Sequence, residues 1–231
     1  MRIVLLGPPA SGKGTQGCRL AASLGLGYLS TGALLRLNME NGTELGLAAA
    51  PILARGGYLP DDLMCPILAD WLAGNDSAPG WVLDGFPRSL HQAQILDAWL
   101  TEKGVAIDAA VALKAPFDEL VLRIRDRVEC PACHWSGRRA ELSEGGNCPK
   151  CSSRAAPRAD DSEDNFRNRH TEFLSLTVLV IDFYRESGRL TCVSATGSKE
   201  KTATILDELG AWSMERRDNG TQSRSYLEVE I

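Results

Sequence analysis

Apolar residues along this chain gather in four short segments that hardly alternate with polar residues. The segments span residues 1–6, 81–86, 108–115 and 189–195. Nearly continuous apolar runs of this length are typical of strands that are buried on both faces of a parallel sheet. Between these segments, apolar residues recur at the spacing of a helix over residues 61–72, over 89–102, from 116 onward and over 162–186. This alternation predicts an α/β fold with a mainly parallel sheet flanked by helices.

Two segments interrupt the alternation and predict small modules attached to the core. Residues 30–59 contain helical pieces joined by glycines, and residues 128–157 carry glycines, prolines and two pairs of cysteines. From residue 214 the chain is polar, which predicts a tail. Within that tail, residues 226–231 (YLEVEI) are apolar enough to add an edge strand.

Length and charge restrict the classes of function. A chain of 231 residues can bury one substantial core. Its formal net charge of −5 argues against a protein whose main task is to coat nucleic acid. No run approaches the roughly 18 apolar residues that span a bilayer, and the apolar start is too short for a secretion signal. We therefore expect a cytoplasmic protein with no membrane or nucleic-acid partner, and we expect a monomer.

The segment GPPASGKGTQ, residues 7–16, follows the first predicted strand and opens a predicted helix. Small residues in such a loop let backbone N–H groups close around phosphate oxygens, and the helix N-terminus adds partial positive charge. Lys13 would then reach the β- and γ-phosphates of a nucleoside triphosphate. A residue with a hydroxyl side chain usually follows this lysine directly. Here Gly14 follows it, and the hydroxyl residue, Thr15, comes one position later. We therefore expect Mg²⁺ to be held mostly through waters and phosphates.

Four of the seven cysteines form two CxxC pairs, Cys130 with Cys133 and Cys148 with Cys151. This spacing lets four thiolates surround one tetrahedral Zn²⁺, and the alternative is a set of free or oxidised thiols. Because all four ligands would be thiolates, no coordination position stays open, which predicts a structural metal. A metal can fix a module of about thirty residues that is too small to build a hydrophobic core.

Five motifs, in order, make a resemblance to a known family specific. They are GKGTQ, LSTGALLR, GGYLPDDL, LDGFPRSLHQA and RADDSEDNFRNR, which cover most of residues 1–185. In these motifs the chain closely resembles bacterial adenylate kinases of the subgroup with a zinc-bearing lid. The resemblance implies the P-loop nucleoside monophosphate kinase fold. It also implies reversible, Mg²⁺-dependent transfer of a phosphoryl group from ATP to AMP, which gives two ADP.

The resemblance further implies a division of the chain into a core, two insertions and a tail. The core P-loop domain would comprise residues 1–29, 60–126 and 159–213, the helical AMP-binding insertion 30–59, the zinc-bearing lid 127–158 and the C-terminal tail 214–231. The cysteine pairs fall in the lid. The glycine loop falls in the core.

Residue roles follow from the same resemblance. The residues implied to bind ATP are Ala10, Ser11, Gly12, Lys13, Gly14, Thr15, Arg123 and Arg127. Those implied to bind AMP are Thr31, Arg36, Gly57, Tyr58, Leu59, Gly85, Phe86, Pro87, Arg88, Gln92, Arg158 and Arg169. The residues implied to serve the transfer itself are Lys13, Asp84, Arg88, Arg127, Arg158 and Arg169. No catalytic base is needed, because the attacking phosphate is already an anion and transfer depends on positioning and charge neutralisation.

The chain departs from the usual family pattern at four positions. Ala10 stands where a loop glycine is common, Ala33 where an aspartate is usual, Gly57 where a lysine is frequent, and Val128 where a second arginine is usual. The tail beyond residue 210 is also atypical. With fewer polar groups around the acceptor, we expect lower activity or a relaxed choice of acceptor.

Three alternative functions stay open on the sequence alone. The first is a kinase for another nucleoside monophosphate such as UMP or CMP, although the long metal-bearing lid and Gln92, whose amide matches an adenine edge, favour AMP. The second is a zinc ribbon that binds nucleic acid on a nucleotide-regulated core, since basic residues lie beside Trp135; Glu141 and Glu144 in the same module argue against it. The third is a nucleotide-binding scaffold without catalysis.

Overall fold

The structure is a computed structural model that describes residues 1–75, 79–133, 135–158, 160–200, 202–204 and 206–208. Eight strands occur in these residues: β1 (Arg2–Leu6), β2 (Gly27–Ser30), β3 (Trp81–Asp84), β4 (Ala109–Lys114), β5 (Arg127–Glu129), β6 (Ser136–Arg138), β7 (Ala156–Pro157) and β8 (Leu190–Ser194). Five of them form a parallel sheet in the order β2–β3–β1–β4–β8. The other three form an antiparallel sheet in the order β6–β5–β7.

Eight α-helices accompany the strands in the same part of the chain. They are α1 (Lys13–Leu24), α2 (Thr31–Glu40), α3 (Glu44–Ala54), α4 (Asp61–Gly74), α5 (Leu90–Glu102), α6 (Phe117–Asp126), α7 (Glu163–Glu172) and α8 (Val178–Glu186). A π-helical turn, Phe173–Thr177, joins α7 to α8. Residues 202–204 and 206–208 are also helical.

The parallel sheet is buried on both faces, as its continuous apolar strands predict. In β1, Val4 and Leu6 pack into one core cluster with residues of α4, α5 and α8. Ile3 and Leu5 point the other way, into a second cluster with residues of α1 and with Leu206. Successive side chains of a strand alternate between faces, so one apolar strand supplies both cores. The α/β fold class predicted from the sequence is confirmed.

Two modules project from this core. The helical insertion, residues 30–59, contains α2 and α3. The lid module, residues 127–158, contains the antiparallel sheet and two short 3₁₀ turns, Arg139–Glu141 and Glu144–Gly146. The division of the chain into domains stays a prediction, although these elements fall within the ranges drawn from the sequence.

The structure differs from the sequence prediction in three elements. The pattern missed β2, because only Leu29 of its four residues is fully buried. The strand predicted over residues 81–86 ends at Asp84, since Gly85 has a φ of 86° and Pro87 has no N–H to give to a sheet. The helix predicted over 162–186 is divided by the π-helical turn. The predicted edge strand at 226–231 lies outside the described residues.

Among the described helices, none has both the length and the apolar character that a membrane span requires.

Candidate active site

The carboxyl ends of β1, β2 and β3 open into a cleft of about 890 Å³. The helical insertion and the lid module contribute walls to the same cleft. Most of the residues that the sequence assigned to nucleotides line it: Ala10, Ser11, Gly12, Lys13, Gly14, Thr15, Arg36, Gly57, Tyr58, Asp84, Gly85, Pro87, Arg88, Arg123, Arg127, Arg158 and Arg169. Positions that are distant in sequence therefore meet in one cavity.

Lys13 lies where the glycine loop enters α1. Gly12, with a φ of 96°, adopts the left-handed conformation that starts this helix. The Lys13 Nζ donates hydrogen bonds of 2.8 Å to the carbonyl oxygens of Gly7 and Pro8. Burial lowers the pKa of Lys13 to about 8, although the nearby Asp84 carboxylate opposes this shift. The ammonium is thus held by neutral acceptors, and an anionic phosphate oxygen would be a stronger partner.

Asp84, at the end of β3, supplies a carboxylate to the wall of the cleft. The Tyr28 hydroxyl lies 3.2 Å from Asp84 Oδ2 and 3.2 Å from the Gly14 carbonyl oxygen, so it donates to one of them. Burial and the Asp84 charge raise the pKa of Tyr28, which therefore stays a donor. A fixed carboxylate beside the phosphate loop fits Mg²⁺, a hard cation that takes oxygen ligands and keeps several waters.

The far end of the glycine loop is tied to the segment that follows β8. Arg123 Nη1 lies 3.4 Å from the carbonyl oxygens of both Ala10 and Ser11, and its Nη2 also contacts the Ala195 carbonyl oxygen. Gln16 Nε2 donates a 2.7 Å hydrogen bond to the carbonyl oxygen of Lys199. These contacts link the glycine loop and the start of α1 to the chain that follows β8.

Arg88 follows β3 and lines the same cleft. Its Nε donates a 2.7 Å hydrogen bond to the Gly85 carbonyl oxygen, and its guanidinium carbon lies 4.2 Å from the centroid of the Tyr58 ring. Stacking on an aromatic face fixes the plane of a guanidinium while its edge stays available for an anion. Arg88 is therefore oriented before any phosphate arrives.

Four assigned residues lie behind the wall of the cleft and do not line it: Thr31, Leu59, Phe86 and Gln92. The Thr31 hydroxyl donates to the Asp84 carbonyl oxygen at 3.3 Å. The Gln92 amide is engaged at both ends, because Oε1 accepts from the Arg88 N–H at 2.7 Å and Nε2 donates to Asp61 at 2.6 Å. The Thr31 and Gln92 side chains therefore support the turn after β3.

Three arginines form a network with two aspartates between the lid module and α7. Arg127 Nε donates to Asp161 at 2.5 Å, and Arg158 pairs with Asp160 through contacts of 2.6 and 3.0 Å. Arg169 contacts Asp160 and lies 3.7 Å from Asp161. Although burial opposes it, Arg158 and Arg169 hold the pKa of Asp160 far below its usual range. The two aspartates therefore hold three guanidinium groups in place at the edge of the cleft.

A further carboxylate, Glu129 of β5, lies among the cleft arginines. Its Oε1 is 3.7 Å from Arg36 Nη2 and its Oε2 is 3.7 Å from Arg158 Nε. Burial and the Arg158 charge lower the pKa of Arg36, and Glu129 opposes this shift. Arg36 thus meets both a like charge and a counter-ion in a largely desolvated position.

The four cysteines of the lid module converge as the CxxC spacing predicts. Their Sγ atoms all lie within 4.8 Å of one another, with 3.5 Å from Cys130 to Cys151 and 3.6 Å from Cys133 to Cys148. A tetrahedral zinc with Zn–S bonds of about 2.3 Å places its sulfurs about 3.8 Å apart, so the cluster fits this ion. The Lys150 N–H lies 3.4 Å from Cys148 Sγ and points a positive dipole at that sulfur.

The cleft residues that sequence reasoning did not assign include Gln16, Tyr28, Glu129 and Lys199. Gln16 is the last letter of the GKGTQ motif, so its place in that motif is the signal that could have identified it. Tyr28 belongs to β2, the strand that the apolar pattern did not show. Glu129 and Lys199 give no sequence signal, since their relation to the arginines and to the loop arises only in the folded chain.

Comparisons with known proteins agree with this geometry. A family model described as adenylate kinase matches residues 5–189. A protein named adenylate kinase from Thermodesulfovibrio yellowstonii is 39% identical over 204 residues, which cover 86% of this chain and 93% of that protein. An adenylate kinase of Streptomyces griseus is 38% identical over 219 residues, which cover 91% of this chain and 98% of that protein. An adenylate kinase of Acidothermus cellulolyticus is 37% identical over 216 residues, which cover 92% of this chain and 100% of that protein. The resemblance and the enzyme class predicted from the sequence are confirmed: the chain belongs to the adenylate kinase family and is a nucleoside monophosphate kinase, a phosphotransferase.

Proposed function

We propose that the chain transfers a phosphoryl group reversibly from ATP to AMP, with Mg²⁺, and gives two ADP. One observation carries this proposal: a single cleft is lined both by a phosphate loop with its lysine and by arginines from the insertion, the turn after β3, the lid module and α7, among them Arg36, Arg88, Arg127, Arg158 and Arg169. The phosphates of ATP and AMP, placed end to end, repel each other strongly. Fixed cations around a cavity that excludes water offset that repulsion without reorganisation.

Within this proposal the cleft has a donor side and an acceptor side. The loop from Ala10 to Thr15, with Lys13 and Arg123, would hold ATP. Arg36 and Arg88 would hold the phosphate of AMP, since a planar guanidinium binds phosphate through two parallel hydrogen bonds. The network arginines of the lid module and α7 would contact the phosphates between the two sides, where charge moves during transfer.

Both metals fit this scheme. Mg²⁺, when it is bound with ATP, neutralises phosphate charge; Asp84 would orient it, and the Tyr28 hydroxyl lies within hydrogen-bond distance of that carboxylate. We propose that the cysteine cluster binds structural Zn²⁺ and thereby orders the lid module. A stable cover over the cleft excludes water, which would otherwise hydrolyse ATP.

The remaining assignments are proposals of the same kind. The residue roles, the domain boundaries, the monomeric state, the cytoplasmic location and the absence of a nucleic-acid partner stay predictions. That the three relatives described above are all named adenylate kinase supports AMP as the acceptor over UMP or CMP.

A panel of donors and acceptors tests the proposal. ATP and GTP are each combined with AMP, CMP, UMP and GMP, nucleoside diphosphate formation is followed, and zinc is measured on the same sample. We expect ATP with AMP to be the fastest pair and one zinc per chain. Faster phosphorylation of UMP or CMP would contradict the choice of acceptor, and a nucleic-acid mobility shift without any kinase activity would contradict the function.

A further inference from the structure

Glu129 faces the cleft because of its place in a strand. In β5 the preceding residue, Val128, is fully buried, and Cys130 on the other side is a buried member of the cysteine cluster. Since side chains alternate along a strand, Glu129 points away from both and into the cavity, where it is part of the lining. Its side chain is 17% exposed, and those of Arg36 and Arg158 are 25% and 16% exposed.

The contacts of Glu129 differ in kind from those of the two aspartates in the arginine network. Asp160 and Asp161 make hydrogen bonds of 2.5 to 3.0 Å with Arg158 and Arg127. Glu129 makes none with its two arginines, since both separations are 3.7 Å. Such an ion pair supplies charge compensation without fixed geometry, and a better-placed anion can replace it.

Arg36 depends on this loose partner more than the other arginines do. Among the described residues, Arg36 forms an ion pair with Glu129 only, whereas Arg158 pairs with both Glu129 and Asp160. Arg36 belongs to α2 of the insertion and Glu129 to β5 of the lid module, so their contact joins the two modules across the cleft. A phosphate that binds Arg36 and Arg158 would take the place of the Glu129 carboxylate, because the negative charges repel each other.

We propose that Glu129 is a built-in competitor of the acceptor phosphate: it neutralises Arg36 and Arg158 while the acceptor side is empty, and AMP must displace it. This inference rests on the proposed function, since it assigns the acceptor phosphate to these two arginines. Glu129 is thus a residue that sets the affinity for AMP and is not a catalytic residue. It also makes the contact between insertion and lid module dependent on whether AMP is bound.

The substitution Glu129→Gln tests the proposal, because it removes the charge and keeps the shape. We expect both the KM for AMP and the Kd for AMP measured by calorimetry without ATP to fall roughly three- to tenfold, the range that the loss of two partly exposed ion pairs corresponds to. The KM for ATP should stay within about twofold of wild type. Glu129→Asp, which keeps the charge, should stay near wild type in both constants.

The matched control is Glu163→Gln. Glu163 loses ion pairs with Arg125 and Arg167 in the same kind of substitution, and these three residues do not line the cleft. Its KM for AMP should be unchanged. Thermal unfolding of each variant shows that the fold is intact.

Two results would overturn the inference. An unchanged Kd for AMP in Glu129→Gln would mean that the carboxylate does not compete, and a raised Kd would mean that it orders Arg36 for binding. If wild-type chain binds AMP but forms no ADP from it, the proposed function fails while the calorimetric comparison still decides the role of Glu129.

Discussion

At the scale of single residues, the loop lysine should be indispensable for turnover. We expect Lys13→Met to reduce kcat by roughly 10²–10³-fold or more, since a fixed charge aimed at the migrating phosphoryl group is lost. Lys114→Met, at an exposed position at the end of β4 and outside the cleft lining, is the control and should retain wild-type kcat. Steady-state kinetics at saturating ATP and AMP measure the effect. A near-native kcat for Lys13→Met would reject this role.

The lowered pKa of Lys13 predicts how activity depends on pH. The charged ammonium is the active form, and with a pKa of about 8 instead of 10.5 it is lost as pH rises through about 8. We therefore expect kcat/KM for ATP, which reports the free enzyme, to fall above about pH 8. Because bound phosphate favours the charged lysine, kcat at saturating ATP should fall only at higher pH.

Profiles of both parameters from about pH 6 to 10 check this prediction. Lys13→Arg is the control: its guanidinium stays charged, so its profile should lack the decline near pH 8 even if its activity is lower. If kcat/KM for wild type is flat well beyond pH 9, burial does not control the charge of Lys13 in the free enzyme.

The role of a single residue could be predicted where a motif around it in the sequence indicates that role. Lys13 and Arg88 follow predicted strands within motifs, so sequence alone identified them. Gln92 was assigned to the adenine edge, but its amide is engaged by Asp61 and by the Arg88 N–H in the structure. Tyr28 and Glu129 act through neighbours that are distant in sequence, and no spacing along the chain could show this.

At the scale of elements, the close packing of α2 and α3 makes one glycine of the insertion essential. A Cβ atom on Gly46 would overlap the backbone of Asn38 and Met39 in α2. We expect Gly46→Ala to lower the free energy of unfolding by about 1–3 kcal/mol, the usual cost of overpacking, and to raise the KM for AMP because α2 carries Arg36. Chemical denaturation and kinetics measure the two effects.

Gly74, in the last turn of α4, is the matched control. Its added Cβ would meet no atom of the described residues within 4 Å beyond its own helix and chain neighbours. Gly74→Ala should therefore raise the free energy of unfolding by about 0.5–1 kcal/mol through helix propensity. If both substitutions change stability equally, contact between α2 and α3 does not explain the result for Gly46.

The cysteine cluster should govern the stability of the lid module more than the chemistry. We expect Cys148→Ser to lower Tm by several degrees, at about 2–4 °C per kcal/mol for a chain of this size, while activity at low temperature is largely kept. Cys192→Ser, in β8 and outside the cluster, is the control and should keep one zinc per chain and a chelator-sensitive Tm. Equal Tm values of wild type with and without chelator would contradict a structural metal.

Strands with a nearly continuous apolar sequence were predicted, and elements whose sequence lacks a clear apolar pattern were not. Apart from Arg2 and Lys114 at their ends, β1 and β4 are apolar, because each lies between two other strands and packs into core clusters on both faces. β2 is an edge strand of the described sheet with three half-buried residues, so its composition carries little signal. The π-helical turn after α7 leaves no mark in the apolar spacing that predicted one long helix.

At the scale of the whole molecule, charge joins three parts that the sequence shows only as separate segments. The core supplies Lys13, the insertion supplies Arg36, and the lid module supplies Arg127 and Arg158. Each cation has an acceptor or counter-ion in the structure, so in the proposed function an incoming nucleotide would offer phosphate oxygens in place of these partners. The cleft is therefore organised before binding, because the unfavourable free energy of bringing these positive charges together is already offset in the folded protein.

One ion pair joins the lid module to the core at the donor side of the cleft, and a charge swap tests its contribution. Lys199 Nζ lies 2.5 Å from Glu141 Oε2, and the side chains are 50% and 29% exposed. Partly exposed pairs contribute about 0.2–1 kcal/mol, so Glu141→Lys and Lys199→Glu should each change the KM for ATP about two- to fivefold.

The double swap should restore a KM close to wild type, because it re-forms the pair with reversed polarity. The coupling from the double-mutant cycle should shrink at about 1 M salt, where exposed charges are screened. Additive effects of the two single variants would show that this contact does not help the lid module to cover ATP.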